Sequence, residues 1–146
     1  MAVALAQKLG IKPGHHVALL GAQPLDSALI SPLPLGAVLV DPGAVLAPEP
    51  PDCLLDVVVY LTNEAADLAA HFAALKARLA WEGGLWIGWP KRASKRPTDL
   101  TFEIVQPMGL ALGLVDNKVC AIDDTWTGLR FVYRKADRPP TRGRAR

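Results

Sequence analysis

Residues 83–100 read GGLWIGWPKRASKRPTDL, and this stretch predicts a buried strand between two helices. The pair Gly83-Gly84 favours the left-handed backbone that ends a helix. The apolar run 85–89 is typical of a strand that is covered on both faces. Pro90 has no amide to donate to a sheet ladder, so the strand should end there. The basic loop that follows should lie at the carboxyl end of that strand, where open α/β sheets bind ligands.

The basic loop and the residues after it supply five candidate ligand-binding residues: Lys91, Ser94, Lys95, Thr98 and Asp99. Thr98 suits the N-cap of a following helix, and Asp99 in its first turn suits the positive end of the helix dipole. Ammonium groups, a hydroxyl and free amides at a helix start together predict a site for a phosphate or carboxylate. Two alternatives stay open: a solvated loop before an ordinary N-cap, or a structural clasp in which Asp99 pairs with Lys91 or Lys95.

The rest of the chain alternates strands and helices outward from this stretch. The helix with the clearest apolar stripe covers about residues 64–81, starts at the N-cap Asn63 and places Leu68, Phe72 and Leu75 on one face. A helix from Thr98 contains Pro107 and should kink or divide into two there. Further strands are predicted at residues 17–20, 38–40, 56–61, 114–122 and 129–134. This order predicts a three-layer α/β fold with a mostly parallel sheet, closed by a C-terminal antiparallel strand pair.

Composition and charge restrict the classes of protein to which this chain can belong. The chain has 146 residues, 51% of them hydrophobic, which favours one folded domain over residues 1–135. Residues 136–146 form a basic tail rich in Arg and Pro, which we expect to be disordered. The net charge of +2 gives no strongly basic domain, which disfavours nucleic-acid binding.

Several other classes of protein are disfavoured by the sequence. No apolar run is long enough for a membrane span, and the N-terminus does not resemble a signal peptide. The two cysteines, Cys53 and Cys120, have neither metal-binding nor redox spacing, which favours a cytoplasmic location. The histidines have no acid or cysteine at ligand spacing, so no metal site is predicted, and no nucleophile–base–acid set can be assembled.

The predicted closing hairpin adds two candidate ligand-binding residues, Trp126 and Arg130. Trp126 could stack on a flat ligand, and Arg130 could supply charge or a cation–π contact. The alternative is that Trp126 covers the end of the sheet while Arg130 lies on an outer strand face.

Three segments resemble the class I methyltransferase-like Rossmann fold. Residues 9–17, LGIKPGHHV, are similar to the lead-in to that family's first strand, and the runs 56–59 and 83–87 are similar to its fourth and fifth strands. The resemblance implies a Rossmann-like fold, S-adenosylmethionine as a possible cofactor, and Gly21 and Asp41 as cofactor-binding residues. Asp41 matches the acid that holds the ribose hydroxyls in that family.

The first strand departs from the methyltransferase pattern. Leu19 stands where the family has an acid, and Gln23 and Leu25 stand where it has further glycines. Those glycines let the backbone approach the cofactor, and Pro24 also removes an amide donor. The sequence therefore disfavours S-adenosylmethionine as a ligand.

From about residue 9 to 134 the chain is also similar to a small bacterial family of uncharacterised domains. Its signatures match PKxxSxxxTDL at 90–100, GLVD at 113–116 and TWxGLRF at 125–131. This resemblance brings no activity with it.

Two functions from different classes follow from these observations. One is a binding module that uses the strand-end cleft for a small anionic or nucleotide-like ligand or for a protein partner. The alternative is a divergent S-adenosylmethionine-dependent methyltransferase. Because the segment 19–25 lacks the cofactor loop, the sequence favours the binding module and assigns no catalytic residue.

Overall fold

A computed structural model describes residues 5–21, 33–40 and 54–137. In chain order the elements are α1 (Leu5–Lys8), β1 (His16–Gly21), β2 (Val38–Leu39), β3 (Leu55–Leu61), α2 (Ala65–Arg78), β4 (Leu79–Pro90), α3 (Phe102–Ala111), β5 (Leu114–Ala121) and β6 (Trp126–Tyr133). Short 3₁₀ turns follow β4 and β6, at Arg92–Ser94 and Lys135–Asp137. Asp41, Cys53 and the tail from residue 138 onward lie outside the described residues.

The six strands form one sheet in the order β2-β1-β3-β4-β6-β5. The first four are parallel, and β6 is antiparallel to both of its neighbours, β4 and β5. Because β6 alone is reversed, β5 runs in the same direction as β1 to β4. This is the mostly parallel sheet with a C-terminal antiparallel pair that the sequence predicts.

Apolar side chains cover both faces of the sheet. On the face packed by α2 and α3, which we call the α2–α3 face, Phe72 of α2 contacts Phe131 of β6 edge to face, with ring centroids 5.3 Å apart. On the opposite face, the α1 face, Leu9, Leu19 and Trp86 belong to a second buried cluster. The indole nitrogen of Trp86, whose side chain is fully buried, donates to the Leu9 carbonyl at 3.0 Å. This hydrogen bond fixes the end of the α1 segment against the centre of the sheet.

The prediction that Gly83 and Gly84 end a helix is wrong. Strand β4 begins at Leu79, directly after α2, and neither glycine has left-handed backbone. A Cβ atom at Gly83 would lie 2.8 Å from the Asp56 carbonyl oxygen, and one at Gly84 would overlap the guanidinium of Arg130. At Gly83 the backbone of β3 lies too close for any side chain, whereas at Gly84 a side chain would require the Arg130 guanidinium to move.

Both predicted helix starts also need correction. Helix α2 begins at Ala65 rather than Glu64, and its N-cap residue is Glu64, not Asn63. Helix α3 begins at Phe102 with Thr101 as N-cap residue, four residues later than predicted. Pro107 lies inside one continuous helix, so of the two predicted alternatives, a kink or a division into two helices, the division does not occur. The amide that Pro107 lacks would have bonded the Glu103 carbonyl, so one helical hydrogen bond is missing.

Gly109 of α3 offers a direct test of the packing between this helix and the sheet. A Cβ atom there would overlap the Phe131 ring. Alanine normally stabilises a helix interior by about 1 kcal/mol over glycine. We predict the opposite sign for Gly109→Ala, a loss of roughly 1–3 kcal/mol in the free energy of unfolding, because the overlap forces the ring or the helix to move. Urea denaturation measures this change.

The control is the same substitution in a Phe131→Leu background, where the smaller side chain leaves room for the methyl group. There the cost of Gly109→Ala should shrink or reverse. An equal cost in both backgrounds would contradict the packing described here.

Candidate functional site

A cleft with a volume of about 580 Å³ lies at the carboxyl end of β4. Its base is formed by Trp89 and Pro90, the last residues of the strand, and by Leu100. Thr127 of β6 and Val119 of β5 border it on one side, and the first residues of α3 on the other. A volume of about 300–1,000 Å³ is usual for a small-molecule site.

The loop that leaves β4 is held in place at its start by backbone hydrogen bonds. The Lys91 amide donates to the Thr125 carbonyl at 2.7 Å, which ties the loop to the β5–β6 connection. The Ser94 hydroxyl donates to the Lys91 carbonyl at 2.6 Å and accepts from the Arg96 amide at 3.2 Å. Lys95 completes the turn in the left-handed region, with φ of 60°. The Ser94 hydroxyl therefore shapes the loop.

The second half of the loop is fixed to the start of α2. The Thr98 hydroxyl donates to the Asn63 carbonyl at 2.8 Å and accepts from the Leu100 amide at 3.0 Å. Asp99 Oδ1 accepts from the Ala65 amide at 2.8 Å. Asp99 thus satisfies a free amide of α2, not of the helix that follows it, and Thr98 is not the N-cap of α3. Both predictions for the start of α3 are wrong for this reason.

Three cationic side chains line the cleft: Arg92, Lys95 and Arg96. All three residues are exposed, and Glu103 of α3 is the one acidic residue among the lining residues. Within the described residues, no ion pair involves these cations or Glu103. The cleft therefore has an excess of positive charge at its rim that the described part of the chain does not neutralise.

The base and one side of the cleft are apolar. Trp89 and Leu100 are only 6% and 2% exposed, and Phe102 packs partly against the buried cluster of the α2–α3 face. Val119, in contrast, is 54% exposed although it lies in a strand at the edge of the described sheet. The cleft thus combines a cationic rim with an apolar base.

Two of the seven predicted ligand-binding residues, Lys95 and Thr98, line this cleft. Lys91, Ser94 and Asp99 lie in the same loop but are not among its lining residues. In the described chain, Asp99 forms no ion pair with Lys91 or Lys95. The loop is a clasp, but its contacts are those of Asp99 with Ala65 and of Lys91 with Thr125, rather than carboxylate–lysine pairs.

Trp126 and Arg130 lie on the α1 face, away from the cleft. Trp126 packs against the cluster that contains Trp86, while Trp89 and the cleft lie on the α2–α3 face. Arg130 lies across Gly84 and borders a small cavity of about 170 Å³ with Asp56, near the amino ends of the strands. Alternation of side chains along β6 separates both residues from Thr127, which does face the cleft.

The additional cleft residues include Arg92, Arg96, Glu103 and Val119. Arg92 and Arg96 belong to the basic run that the sequence places after β4, so charge alone pointed to them. Glu103 and Val119 come from separate elements, and no local pattern connects them with the loop.

The position that would hold a methyltransferase cofactor is described only in part. Gly21 is the last residue of β1. Leu19, in place of the family's acid, is 4% exposed and packed in the apolar cluster of the α1 face. The segment after Gly21 and the candidate Asp41 lie outside the described residues. Of the two described positions, Gly21 keeps the glycine of the methyltransferase pattern and Leu19 departs from that pattern.

A separate polar cluster joins β3 to α2. The Tyr60 hydroxyl donates to Asp67 Oδ2 at 2.6 Å, and His71 Nδ1 lies 2.9 Å from the Tyr60 oxygen. Burial and the adjacent Asp67 carboxylate raise the pKa of Tyr60 far above its usual value, so the phenol stays protonated. None of these residues lines the cleft. Among the residues that the structure describes, no three His, Cys, Asp or Glu residues are placed to hold a metal ion.

No described helix has both the length and the apolar character needed to cross a lipid bilayer.

Comparisons with known proteins give a structural similarity and no match in sequence. Neither the protein-family models nor the curated proteins contain a match. The resemblance to a small bacterial family therefore stays a prediction.

Similar solved structures are methyltransferases. One is a ribosomal protein L11 methylase from Lactobacillus delbrueckii subsp. bulgaricus, with a TM-score of 0.55, 12% identity and coverage of 89% of this chain and 75% of that one. A precorrin-6y C5,15-methyltransferase from Geobacter metallireducens GS-15 has a TM-score of 0.56, 13% identity and coverage of 89% and 86%. The magnesium protoporphyrin IX methyltransferase from Synechocystis PCC 6803 with bound SAH has a TM-score of 0.52 and 13% identity. The similarity covers 89% of this chain and 78% of that one. The chain has the class I methyltransferase-like Rossmann fold, as its sequence predicts.

The contact between Asp99 and α2 yields a testable consequence for the loop. Asp99→Ala removes the acceptor for the Ala65 amide and should lower the free energy of unfolding by about 1 kcal/mol, the usual value of a helix-capping side chain. Asp99→Asn keeps an oxygen acceptor and should cost much less. Urea denaturation of both variants measures the difference.

Asp124→Ala is the matched control, since Asp124 is also an exposed loop aspartate and should change stability by less than about 0.5 kcal/mol. If Asp99→Ala has no larger effect than Asp124→Ala, the loop is not held in this way.

Proposed function

We propose that this chain is a Rossmann-like binding domain that takes a small anionic ligand in the cleft at the carboxyl end of β4. The observation that carries the proposal is the presence of Arg92, Lys95 and Arg96 around one cleft without an ion-pair partner in the described chain. Charged groups held near each other without partners repel one another, and an anion between them relieves that repulsion.

The chemistry of these side chains suits a phosphate or a carboxylate. Arginine offers planar pairs of donors that match two oxygens of such a group, and lysine adds a compact charge. The apolar base formed by Trp89 and Leu100 lowers the local dielectric, which strengthens these interactions relative to bulk water. The loop that carries the cations is fixed at both ends, by Lys91 and by Asp99. Less of its conformational freedom would be lost on binding as a result.

Glu103 limits where the anionic group of the ligand can lie in the cleft. Its carboxylate lines the same cleft and would repel an anion that lies close to it. The proposed ligand therefore places its anionic group toward the three cations of the loop and away from the start of α3.

A second candidate function is that of a divergent S-adenosylmethionine-dependent methyltransferase. The similarity in fold to methyltransferases, one of them solved with bound SAH, favours it. The buried apolar position of Leu19 counts against it, because a carboxylate is expected there in that family. Calorimetry distinguishes the two candidates: a dissociation constant for S-adenosylmethionine in the low micromolar range would support the methyltransferase.

The proposed anion site is tested by its cations. In a thermal-shift titration at constant ionic strength, inorganic phosphate and pyrophosphate should raise the melting temperature of the natural protein. Arg92→Gln combined with Arg96→Gln should abolish most of this rise, because two of the three charge-assisted donors are gone and only Lys95 remains. The melting temperature without ligand should stay nearly unchanged, since both residues are exposed and form no described ion pair.

Lys12→Ala combined with Lys135→Ala is the control, because it removes the same number of charges from exposed positions outside the cleft. That variant should respond to phosphate like the natural protein. An equal loss of response in both double variants would mean that net charge, not the cleft, attracts the anion, and would overturn the proposal.

A further inference from the structure

We infer that the ligand of this cleft is amphipathic: a phosphate or carboxylate joined to a compact apolar group that lies against Val119 and Phe102. The inference rests on the proposed function, since it names the class of anion that the same cleft takes.

The volume of the cleft favours a ligand larger than an inorganic anion. A cleft of about 580 Å³ is much larger than an inorganic anion, which would fill only the part near the loop. The remaining space would then hold water against the partly exposed side chains of Phe102 and Val119. An apolar group in that space removes these surfaces from water, which is favourable in proportion to the area covered.

The second argument is the position of Val119. Its side chain is 54% exposed in β5, and its partner in the neighbouring strand, Leu129, is fully buried. Val119 therefore extends the apolar surface of the sheet from the buried core outward to the mouth of the cleft. A ligand whose anionic end binds the loop cations would bring its other end toward this surface.

The third argument is the separation of polar and apolar lining residues by element. All three cations come from the loop after β4. The apolar residues come from β4 and β5, from Leu100 near the end of the connection, and from Phe102, the first residue of α3. The other polar lining residues are Glu103 and three threonines. A molecule with one charged end and one apolar end matches this division better than a ligand charged along its length.

A series of alkyl phosphates tests the inference. Methyl, butyl and hexyl phosphate carry the same anionic group, so differences in affinity report the alkyl chain alone. Each methylene that becomes buried should tighten binding by up to about fourfold, until the chain exceeds the cleft. Hexanol is the uncharged probe and should not bind measurably, because it lacks the anchor. Calorimetry or thermal shift gives the affinities.

Val119→Thr nearly keeps the shape of the side chain and replaces one apolar methyl group with a hydroxyl. It should weaken the binding of hexyl phosphate several-fold and leave that of inorganic phosphate unchanged. Val38→Thr is the matched control, since Val38 is a similarly exposed valine of a strand, at 50%, and lies far from the cleft in the sheet order. The Val38→Thr variant should bind hexyl phosphate and inorganic phosphate as the natural protein does.

The possible outcomes separate this inference from the function on which it rests. If inorganic phosphate binds and chain length makes no difference, the anion site stands and the amphipathic ligand is refuted. If neither phosphate nor any alkyl phosphate binds, both fail. If hexanol binds as well as hexyl phosphate, the cleft is only an apolar surface and both fail.

A lipid headgroup offers the same chemistry as a free alkyl phosphate, and vesicles that contain phosphatidic acid distinguish the two. The protein should not sediment with these vesicles, because the proposed ligand is a free molecule and not a lipid in a bilayer. Sedimentation that Arg92→Gln with Arg96→Gln abolishes would overturn the assignment to a free ligand.

Discussion

The burial of β4 is the constraint on which the rest of the structure depends. From Gly83 to Pro90 every residue of this strand is buried, between parallel β3 on one side and antiparallel β6 on the other. Backbone groups in such a place have to be paired within the sheet, because water cannot reach them. Trp86 fills the α1 face, and Ile87 and Trp89 fill the α2–α3 face. The strand therefore joins the two apolar clusters and the two halves of the sheet.

This central position also determines where the chain can build a site. At Pro90 the backbone leaves the sheet, and its next residues are tied to the β5–β6 connection and then to the start of α2. The basic loop thus bridges three parts of the fold without being buried itself. Its hydroxyl and carboxylate groups are used to hold the loop, which leaves Arg92, Lys95 and Arg96 to face the cleft.

The sequence predicts the strands well and the ends of the helices less well. Runs such as 56–59 are identified by composition because burial on both faces requires apolar residues throughout. The pair Gly83-Gly84 leads to a wrong prediction because glycine suits two different places. One is a left-handed turn, and the other is a strand crossed by a neighbouring side chain, as the Arg130 side chain crosses Gly84. Thr98-Asp99 misleads similarly, since a capping pattern does not show which helix it caps. Asp99 contacts Ala65 of α2, which precedes it by 34 residues in sequence, and such contacts depend on tertiary structure.

For the candidate site as well, the local features could be predicted from the sequence and the contacts between distant segments could not. The basic run after β4 locates it, because strand ends and loop charges are local features. Trp126 and Arg130 could not be excluded from it without the register of β6, which turns both toward the α1 face.

The direct test of the proposed cleft is an NMR titration with hexyl phosphate that follows the backbone amides. We predict shifts at residues 92–96 and 98–103 and at Val119 and Thr127. Shifts that instead cluster around Gly21 and Asn63, at the ends of β1 and β3, would contradict it.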